Sequence, residues 1–281
     1  MNKKIVSITV VGKDKEGIVA AFTSCIFKNR GNIEKINQNV IKGLFGMYIT
    51  ASFNEKKKLE KLHSELNDIA EMYKMEVNLF NESNADKNIA ILATKEIHCI
   101  NAILNASIKN TLKGKVCVVV GTSKSLCDQI NLRGIPFFLI EDKEQANAEE
   151  KLLTLSKKYK IDLIVLARYM RILTPNFVWR YPNRIINIHP SLLPSFPGAN
   201  AYAQAYERGT KIIGVTAHYV TENLDQGPII LQDSFKIKSD DSFLFIKNKG
   251  QKLEAKTLLT ATKLHLENKL VVSWRKVHIK N

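Results

Sequence analysis

The feature that most constrains the fold is a series of short, wholly apolar segments in the last two thirds of the chain. The segments span residues 89–93, 116–120, 136–140, 163–166 and 185–188, and helix-length stretches such as 143–160 separate them. Strands that are apolar on both faces and alternate with helices are typical of a parallel sheet between helical layers. The sequence therefore predicts a Rossmann-like, mostly parallel α/β domain, with the carboxyl-end loops of its strands at one edge of the sheet.

The first 80 residues follow a different pattern. Two apolar helical stripes, at residues 18–27 and 59–69, alternate with strand-like segments at 3–11, 33–41, 44–53 and 75–80. This order predicts a ferredoxin-like βαββαβ module, in which Lys42-Gly43 joins two strands as a hairpin turn. We expect a module at 1–80, a polar linker at 81–87 and a catalytic domain at 88–281.

Composition narrows the function classes. The net charge is +15, but the lysines are spread along the chain, and the longest run, Lys56-Lys57-Lys58, carries no interleaved aromatics. This pattern fits a basic proteome, or attraction of an anionic small substrate, better than nucleic-acid binding. Residues 5–11 are too short for a signal peptide, and no apolar stretch approaches the roughly 20 residues of a membrane span, so we expect a cytoplasmic protein without membrane contact.

The cysteines do not form a metal-binding or disulfide pattern. Cys25, Cys99, Cys117 and Cys127 are scattered, without a Cys-x-x-Cys pair, as expected of reduced, buried thiols in a cytosolic protein. His98 next to Cys99 is the one pair with ligand chemistry, and without a second pair at ligand spacing we expect no metal.

Three polar residues near strand ends carry acyl chemistry. Asn187 and His189 come directly after the apolar run 184–186, and Asp225 lies in a polar loop before Gly227. An amide that polarises a carbonyl, an imidazole that moves a proton and a carboxylate that orients the imidazole are sufficient for acyl transfer or hydrolysis. The loop 187–199 is rich in proline, which holds side chains in place. From residue types alone, a catalytic loop and a buried structural turn are equally supported.

Three stretches, at residues 162–173, 185–191 and 204–221, carry a specific sequence pattern, and shorter stretches at 95–100, 134–137 and 264–268 extend it. Together they resemble the folate-dependent formyltransferase family, and within it the formyltetrahydrofolate deformylases. The resemblance implies hydrolysis of 10-formyltetrahydrofolate to tetrahydrofolate and formate, with 10-formyltetrahydrofolate as the substrate and no tightly bound cofactor. Such an enzyme supplies formate and balances one-carbon and purine metabolism.

The resemblance also implies roles for individual residues. Asn187, His189 and Asp225 correspond to the catalytic set. The folate-binding set comprises Met170, Arg171, Ile172, Leu173, His218, Val220, Thr221 and Glu222. Main-chain groups suit a pterin edge, because a fixed backbone meets its donors and acceptors at low entropic cost. Without the resemblance, the pattern at residues 170–173 predicts the start of a helix after a strand.

Two departures from the family pattern point in opposite directions. Pro190 stands where deformylases carry a second histidine, as it does in glycinamide ribonucleotide formyltransferases. Residues 94–98, which follow the first strand of the catalytic domain, contain no glycine, although a phosphate-bearing acceptor needs bare backbone N–H groups there. The backbone requirement outweighs one substituted residue, so water is favoured over an amine as the formyl acceptor.

The front module resembles an ACT domain and implies an amino-acid effector. The candidate effector residues are Asp14, Gly17, Ile18, Asn32 and Ile33. A module that only pairs protomers is the alternative, and either case predicts a homo-oligomer. The alternative hypothesis outside enzymes is an amino-acid-sensing protein whose catalytic fold is inactive.

Overall fold

The computed structural model describes residues 3–54, 59–81, 86–196, 198, 200–238 and 240–280. The lysine run 56–58, the linker residues 82–85, and Pro197 and Ala199 of the proline-rich loop lie outside the described residues. The chain divides into two compact units: unit 1 consists of Met1–Asn84 and Thr174–Pro182, and unit 2 of Ala85–Leu173 and Asn183–Asn281.

The predicted βαββαβ order is confirmed in unit 1. Its elements are β1 (Lys4–Lys13), α1 (Ile18–Lys28), β2 (Asn32–Ile41), β3 (Leu44–Phe53), α2 (Leu59–Tyr73) and β4 (Met75–Asn81). The strands form an antiparallel sheet in the order β2-β3-β1-β4. Lys42 and Gly43 both have positive φ, 49° and 76°, which is the conformation of a two-residue hairpin turn between twisted strands.

The core of unit 1 lies between its sheet and its two helices. Alternate residues of β1, namely Val6, Ile8 and Val10, are fully buried in the same apolar cluster as residues of α1 and α2, as the two-residue period of a strand requires. Residues 174–182, which include α6 (Pro175–Val178), group with this unit. There, Arg180 Nε donates to Glu76 Oε2 at 3.1 Å. The predicted catalytic domain ran unbroken from 88 to 281, whereas this short segment packs with unit 1.

Unit 2 contains the predicted, mostly parallel sheet. Its strands are β5 (Lys87–Ala93), β6 (Gly114–Gly121), β7 (Phe137–Leu139), β8 (Leu163–Ala167), β9 (Ile185–His189), β10 (Ile212–Tyr219), β11 (Ile229–Lys236), β12 (Leu270–Ser273) and β13 (Lys276–Ile279). Its helices are α3 (His98–Ile108), α4 (Cys127–Asn131), α5 (Gln145–Lys158), α7 (Ala201–Glu207) and α8 (Phe243–Leu266), with a 3₁₀ turn at Lys124–Leu126.

The strand order of unit 2 is β11-β10-β9-β8-β5-β6-β7, and β12 pairs with β13 in a separate hairpin. The pairs from β9 through β7 are parallel, whereas β10 is antiparallel to both of its neighbours. Ile89, Ile91 and Leu163 are fully buried in one cluster with residues of α3 and α8. The carboxyl ends of β5, β8 and β9 consequently meet at one edge of a rigid sheet.

Candidate active site

Strand pairing brings Asn187, His189 and His218 to one face of the sheet. Asn187 and His189 are two residues apart, so their side chains project from the same face of β9. In the antiparallel β9-β10 pair, His218 stands directly opposite Asn187, and directly opposed residues have neighbouring side chains. The sequence predicts Asn187 and His189 on a loop after the strand. Instead they form its last three positions together with Ile188, where the backbone is fixed by the sheet.

Asp225 reaches the same place from the loop between β10 and β11. Its backbone is left-handed, with φ 54°, a conformation that Asp tolerates better than most residues. Two residues later, a Cβ on Gly227 would lie 1.7 Å from the carbonyl oxygen of Tyr219, so this position requires glycine. The Asp225 carboxylate lies 3.4 Å from His189 Nδ1 through Oδ2 and 3.8 Å from His218 Nε2 through Oδ1. The backbone N–H of Gly198 donates to Oδ2 at 3.0 Å.

The hydrogen bonds of His189 determine which of its ring nitrogens can take up a proton. Nε2 lies 2.8 Å from the carbonyl oxygen of Phe196, and a carbonyl only accepts, so Nε2 carries a hydrogen. Nδ1 then faces the Asp225 carboxylate. A proton taken up at Nδ1 converts the ring to an imidazolium that this carboxylate stabilises. The residue is only 4% exposed, so water screens this interaction weakly.

His218 determines the orientation of the Asn187 amide. Its Nδ1 lies 2.9 Å from the backbone carbonyl oxygen of Tyr219 and therefore donates. Burial lowers the pKa of His218, so the ring is neutral and Nε2 keeps a free lone pair. That lone pair accepts from Asn187 Nδ2 at 3.2 Å. The side chain of Asn187 thus presents nitrogen at this point, and its second N–H is available to a ligand.

These groups line a cavity of about 230 Å³. Its wall is formed by Leu166, residues 168–173, residues 187–190, Gly198, Asn200, His218 and residues 220–225. All of the predicted catalytic and folate-binding residues therefore surround one cavity. Residues 168–173 are not helical, and α6 begins only at Pro175, so the helix-start interpretation of 170–173 is wrong. The side chains of Met170 and Ile172 are 56% and 62% exposed, as a ligand-binding apolar rim would be.

One cluster has metal-ligand chemistry. Donor atoms of His98, Cys99 and Glu254 lie within 4.8 Å of one another. However, Arg168 Nε lies 3.6 Å from Glu254 Oε2 and already supplies a positive charge. Burial raises the pKa of the Cys99 thiol well above its usual value, and so opposes the thiolate that a metal needs. These contacts favour an ion-pair network over a metal centre.

The predicted effector residues lie around the start of α1 and the start of β2. Gly17 precedes the helix with φ 83°, and Ile18 is fully buried in the core. Asp14 donates its backbone N–H to Gly43 O at 2.9 Å. Asn32 donates from Nδ2 to Glu34 Oε1 at 2.9 Å. Their role in effector binding stays a prediction.

Sequence reasoning missed several groups at the site. The sequence does not predict the carbonyl of Phe196 or the backbone N–H of Gly198, which contact His189 and Asp225, or Arg168, which lines the cavity. The proline-rich loop indicated a fixed backbone without showing which carbonyl meets His189. All four cysteines are free, with Cys25 and Cys99 buried and Cys117 and Cys127 partly exposed. Within the described ranges, no helix is both long and apolar enough to cross a membrane.

Comparison with known families matches both parts of the chain. The Formyl transferase family profile matches residues 87–262, and the ACT domain profile matches residues 4–79. A formyltetrahydrofolate deformylase of Bacillus subtilis (strain 168) is 39% identical over 276 residues, which is 95% of this chain and 91% of that protein.

Solved structures of a deformylase and of a transformylase both match this chain, but they cover different shares of it. A formyltetrahydrofolate deformylase from Pseudomonas syringae pv. tomato has a TM-score of 0.68 and 29% identity, and the match covers 100% of this chain and 96% of that one. A glycinamide ribonucleotide transformylase from Symbiobacterium toebii has a TM-score of 0.67 and 31% identity. That match covers 98% of the transformylase but only 73% of this chain.

Proposed function

This chain belongs to the formyl transferase family, and within that family we infer that it is a hydrolase, which cleaves 10-formyltetrahydrofolate to tetrahydrofolate and formate. The observation that carries this inference is the likeness to formyltetrahydrofolate deformylases along nearly the whole chain, including the ACT domain. The transformylase match leaves about a quarter of the chain uncovered. No tightly bound cofactor is required for this reaction.

The site contacts support a specific division of labour. Asn187 donates its free N–H to the formyl oxygen and stabilises the negative charge that develops there. Water attacks the formyl carbon, and its proton moves to His189 Nδ1, where Asp225 at 3.4 Å stabilises the resulting imidazolium. When the bond to N10 breaks, N10 takes up that proton from His189, and the formic acid that forms loses its remaining proton to solvent and leaves as formate. His218 acts through Asn187 by fixing its amide at 3.2 Å.

The folate is held by the wall opposite these groups. Met170 to Leu173 and Val220 to Glu222 supply main-chain donors and acceptors for the pterin edge, while the apolar side chains of the first segment cover its ring. Arg171 Nε donates to Gln145 Oε1 at 2.9 Å. This contact restricts its rotamers while the remaining guanidinium nitrogens attract an anionic folate tail.

Pro190 does not overturn hydrolysis. It lines the cavity but has no polar side-chain atom to place a water. In this chain the His189-Asp225 pair holds the acceptor for the water proton, so a second histidine is not needed for that step. The comparisons favour the hydrolase over both the amine-transferring alternative and the inactive, amino-acid-sensing alternative.

One assay tests the function directly. The purified protein is incubated with 10-formyltetrahydrofolate alone, and then with glycinamide ribonucleotide added, while formate and transferred formyl group are measured. Hydrolysis predicts formate release without an acceptor. Formyl transfer that occurs only with the acceptor would make the protein a transferase, and no turnover in either case would support the inactive fold.

The remaining functional assignments extend from the same reaction. The enzyme works in the cytoplasm as a homo-oligomer and supplies formate to purine synthesis. An amino acid binds unit 1 near Asp14, Gly17, Ile18, Asn32 and Ile33 and controls turnover. The ACT domain match supports small-molecule binding by unit 1. Isothermal titration with glycine, serine and methionine tests the effector, and sedimentation tests the oligomer; no heat with any of them would favour a purely structural module.

A further inference from the structure

Unit 2 has a second place where its topology favours a ligand. After β5 the chain builds β6 and β7 on one side, and it then returns to build β8 and β9 on the other side. In open α/β sheets, ligands bind outside the carboxyl ends of the strands at such a reversal. Here the reversal lies between the ends of β5 and β8, next to the catalytic residues of β9.

Side chains that follow both strands converge on one buried carboxylate near this position. Arg168 follows β8 directly, with a left-handed backbone at φ 61°, and its Nε lies 3.6 Å from Glu254 Oε2. His98 Nε2 lies 3.3 Å from the same oxygen, and the hydroxyl of Tyr202 donates to Glu254 Oε1 at 2.7 Å. Glu254 is fully buried. A buried carboxylate with partners on both oxygens holds its neighbours in a single arrangement.

The loops after the two strands are also tied to each other. Met170 donates its backbone N–H to Thr94 Oγ1 at 3.0 Å. Gln251 Nε2, on α8, also holds the loop after β5 by donating to Glu96 Oε2 at 3.0 Å. Arg168 lines the catalytic cavity, whereas within the described part of the chain no residue of 94–98 lines it. Arg168, whose Nε lies beside Glu254, therefore borders the cavity at the end of β8, next to the neighbouring strand β5.

We propose that Arg168, held in place by Glu254, restricts the formyl acceptor to water by closing the crevice that an organic amine would occupy. The proposal rests on the hydrolysis proposed above. An amine would attack the same formyl carbon, form a C–N bond as the bond to N10 breaks, and lose a proton that N10 gains. Asn187, His189 and Asp225 serve either acceptor equally, so the space beside them selects between water and an amine.

The test measures how each enzyme divides the formyl group between water and an amine. Wild type and Arg168→Ala are incubated with 10-formyltetrahydrofolate and glycinamide, and N-formylglycinamide and formate are quantified in the same sample. We expect the ratio of amide to formate to rise at least about tenfold in the variant, equivalent to about 1.4 kcal/mol. A ratio unchanged from wild type, with formate still released, would overturn the proposal.

Two matched variants control for the charge and for truncation of an arginine. Arg168→Lys keeps a cation beside Glu254 and should remain near the wild-type ratio. Arg133→Ala truncates an arginine that donates to Asn105 Oδ1 on the exposed surface, and it should not change the ratio. If Arg133→Ala raises the ratio as much as Arg168→Ala does, the effect is not specific to the crevice and the proposal is wrong.

Two further measurements keep the test decisive if Arg168→Ala does not fold. The double variant Arg168→Ala/Glu254→Gln removes the charge that the single change leaves unpaired, and it should raise the ratio in the same way. With the wild-type enzyme, the small nucleophile hydroxylamine should accept formyl groups above the uncatalysed background, while glycinamide should not. Equal formyl transfer to hydroxylamine and to glycinamide by the wild-type enzyme would show that Arg168 does not exclude the larger amine. Absence of formate from wild type without any amine would instead overturn the proposed hydrolysis.

Discussion

Two buried clusters of carboxylate and histidine lie in unit 2, and they differ in whether their carboxylate borders the catalytic cavity. Glu254 has His98 and Arg168 near one oxygen and the hydroxyl of Tyr202 on the other, and its side chain is 1% exposed. Asp225 has His189 at 3.4 Å and His218 at 3.8 Å, is 7% exposed, and lines the cavity. The residue types are alike, but only in the second cluster do the carboxylate and the histidines themselves line the cavity.

This difference separates structural from chemical roles. In the Glu254 cluster each strong acceptor position is taken by a donor, so removing one partner exposes an unpaired buried charge. In the Asp225 cluster the carboxylate faces the nitrogen that receives the proton in the proposed reaction, so it contributes when charge develops. We therefore expect changes in the first cluster to lower stability and changes in the second to lower turnover.

Asp225→Asn should have the largest effect on catalysis. The carboxamide keeps an oxygen for the N–H of Gly198, but it does not stabilise the imidazolium of His189, so kcat should fall about 10³- to 10⁴-fold, as in other carboxylate–histidine systems. Steady-state formate release measures the fall, and chemical denaturation should show little change in stability. Asp233→Asn, which alters an exposed carboxylate paired with Lys256 at 3.1 Å, serves as the control and should retain full activity.

Asn187→Ala should have the next largest effect. Loss of the one side-chain donor assigned to the formyl oxygen should lower kcat about 10²- to 10³-fold with a small change in KM, because the bond strengthens in the transition state. Turnover close to that of wild type would remove Asn187 from its assigned role. Asn187→Asp, which has no N–H group, should behave like the alanine variant.

Glu254→Gln should lower stability more than turnover. The change leaves Arg168 without its buried counter-ion, and breaking such a pair costs about 3 kcal/mol. Urea denaturation measures this loss. Glu267→Gln offers a control at the surface, where Glu267 pairs with Lys269 at 2.7 Å, and it should change stability by less than about 1 kcal/mol. If Glu254→Gln folds as stably as wild type but loses turnover as Asp225→Asn does, the two clusters do not differ as argued.

His218→Phe should have a moderate effect that acts through Asn187. The ring no longer accepts from Asn187 Nδ2, so the amide is free to rotate, and kcat should fall about five- to tenfold, as expected for one hydrogen bond. His218→Gln, which offers an acceptor again, should recover part of the loss. A loss with His218→Gln but none with His218→Phe would show that His218 only fills space.

The sequence predicted the sheets better than the contacts between loops. The apolar runs at 89–93 and 163–166 gave two adjacent parallel strands, because burial on both faces leaves few other structures for such runs. Spacing also placed Asn187 and His189 on one face once β9 was recognised. The face of His218 depends on register, which a sequence without its partner strand does not specify.

The Glu254 network was not predictable in the same way. Arg168, His98 and Glu254 are separated by 70 to 156 positions along the chain. No local pattern marks a glutamate on α8 as buried, since charged residues at most helix positions are solvated. The His98-Cys99 pair drew attention as a metal candidate, but only the three-dimensional contacts show that an arginine occupies the place of a cation.

His265 extends the comparison to a buried histidine held by a hydroxyl. Its Nδ1 lies 2.8 Å from the hydroxyl of Tyr219, and burial, with Arg184 and Lys87 nearby, lowers its pKa from 6.5 to about 3. As the pH falls, His265 therefore takes up a proton at a higher pH in the unfolded chain than in the folded chain. The free energy of unfolding should decrease by about 1 kcal/mol per pH unit below 6.5 and level off near pH 3, and the full contribution should be present above 6.5.

His265→Gln should remove this slope, because Gln does not titrate and still offers an acceptor to Tyr219. Urea denaturation of both proteins between pH 7 and about pH 4 measures the difference between them. The two curves should converge toward acid, since only wild type loses this contribution. Parallel curves would mean that His265 binds its proton equally well in the folded and unfolded chains. In that case burial alone would not disfavour an imidazolium, and Asp225 would not be needed to stabilise the charged ring that His189 forms when it accepts a proton.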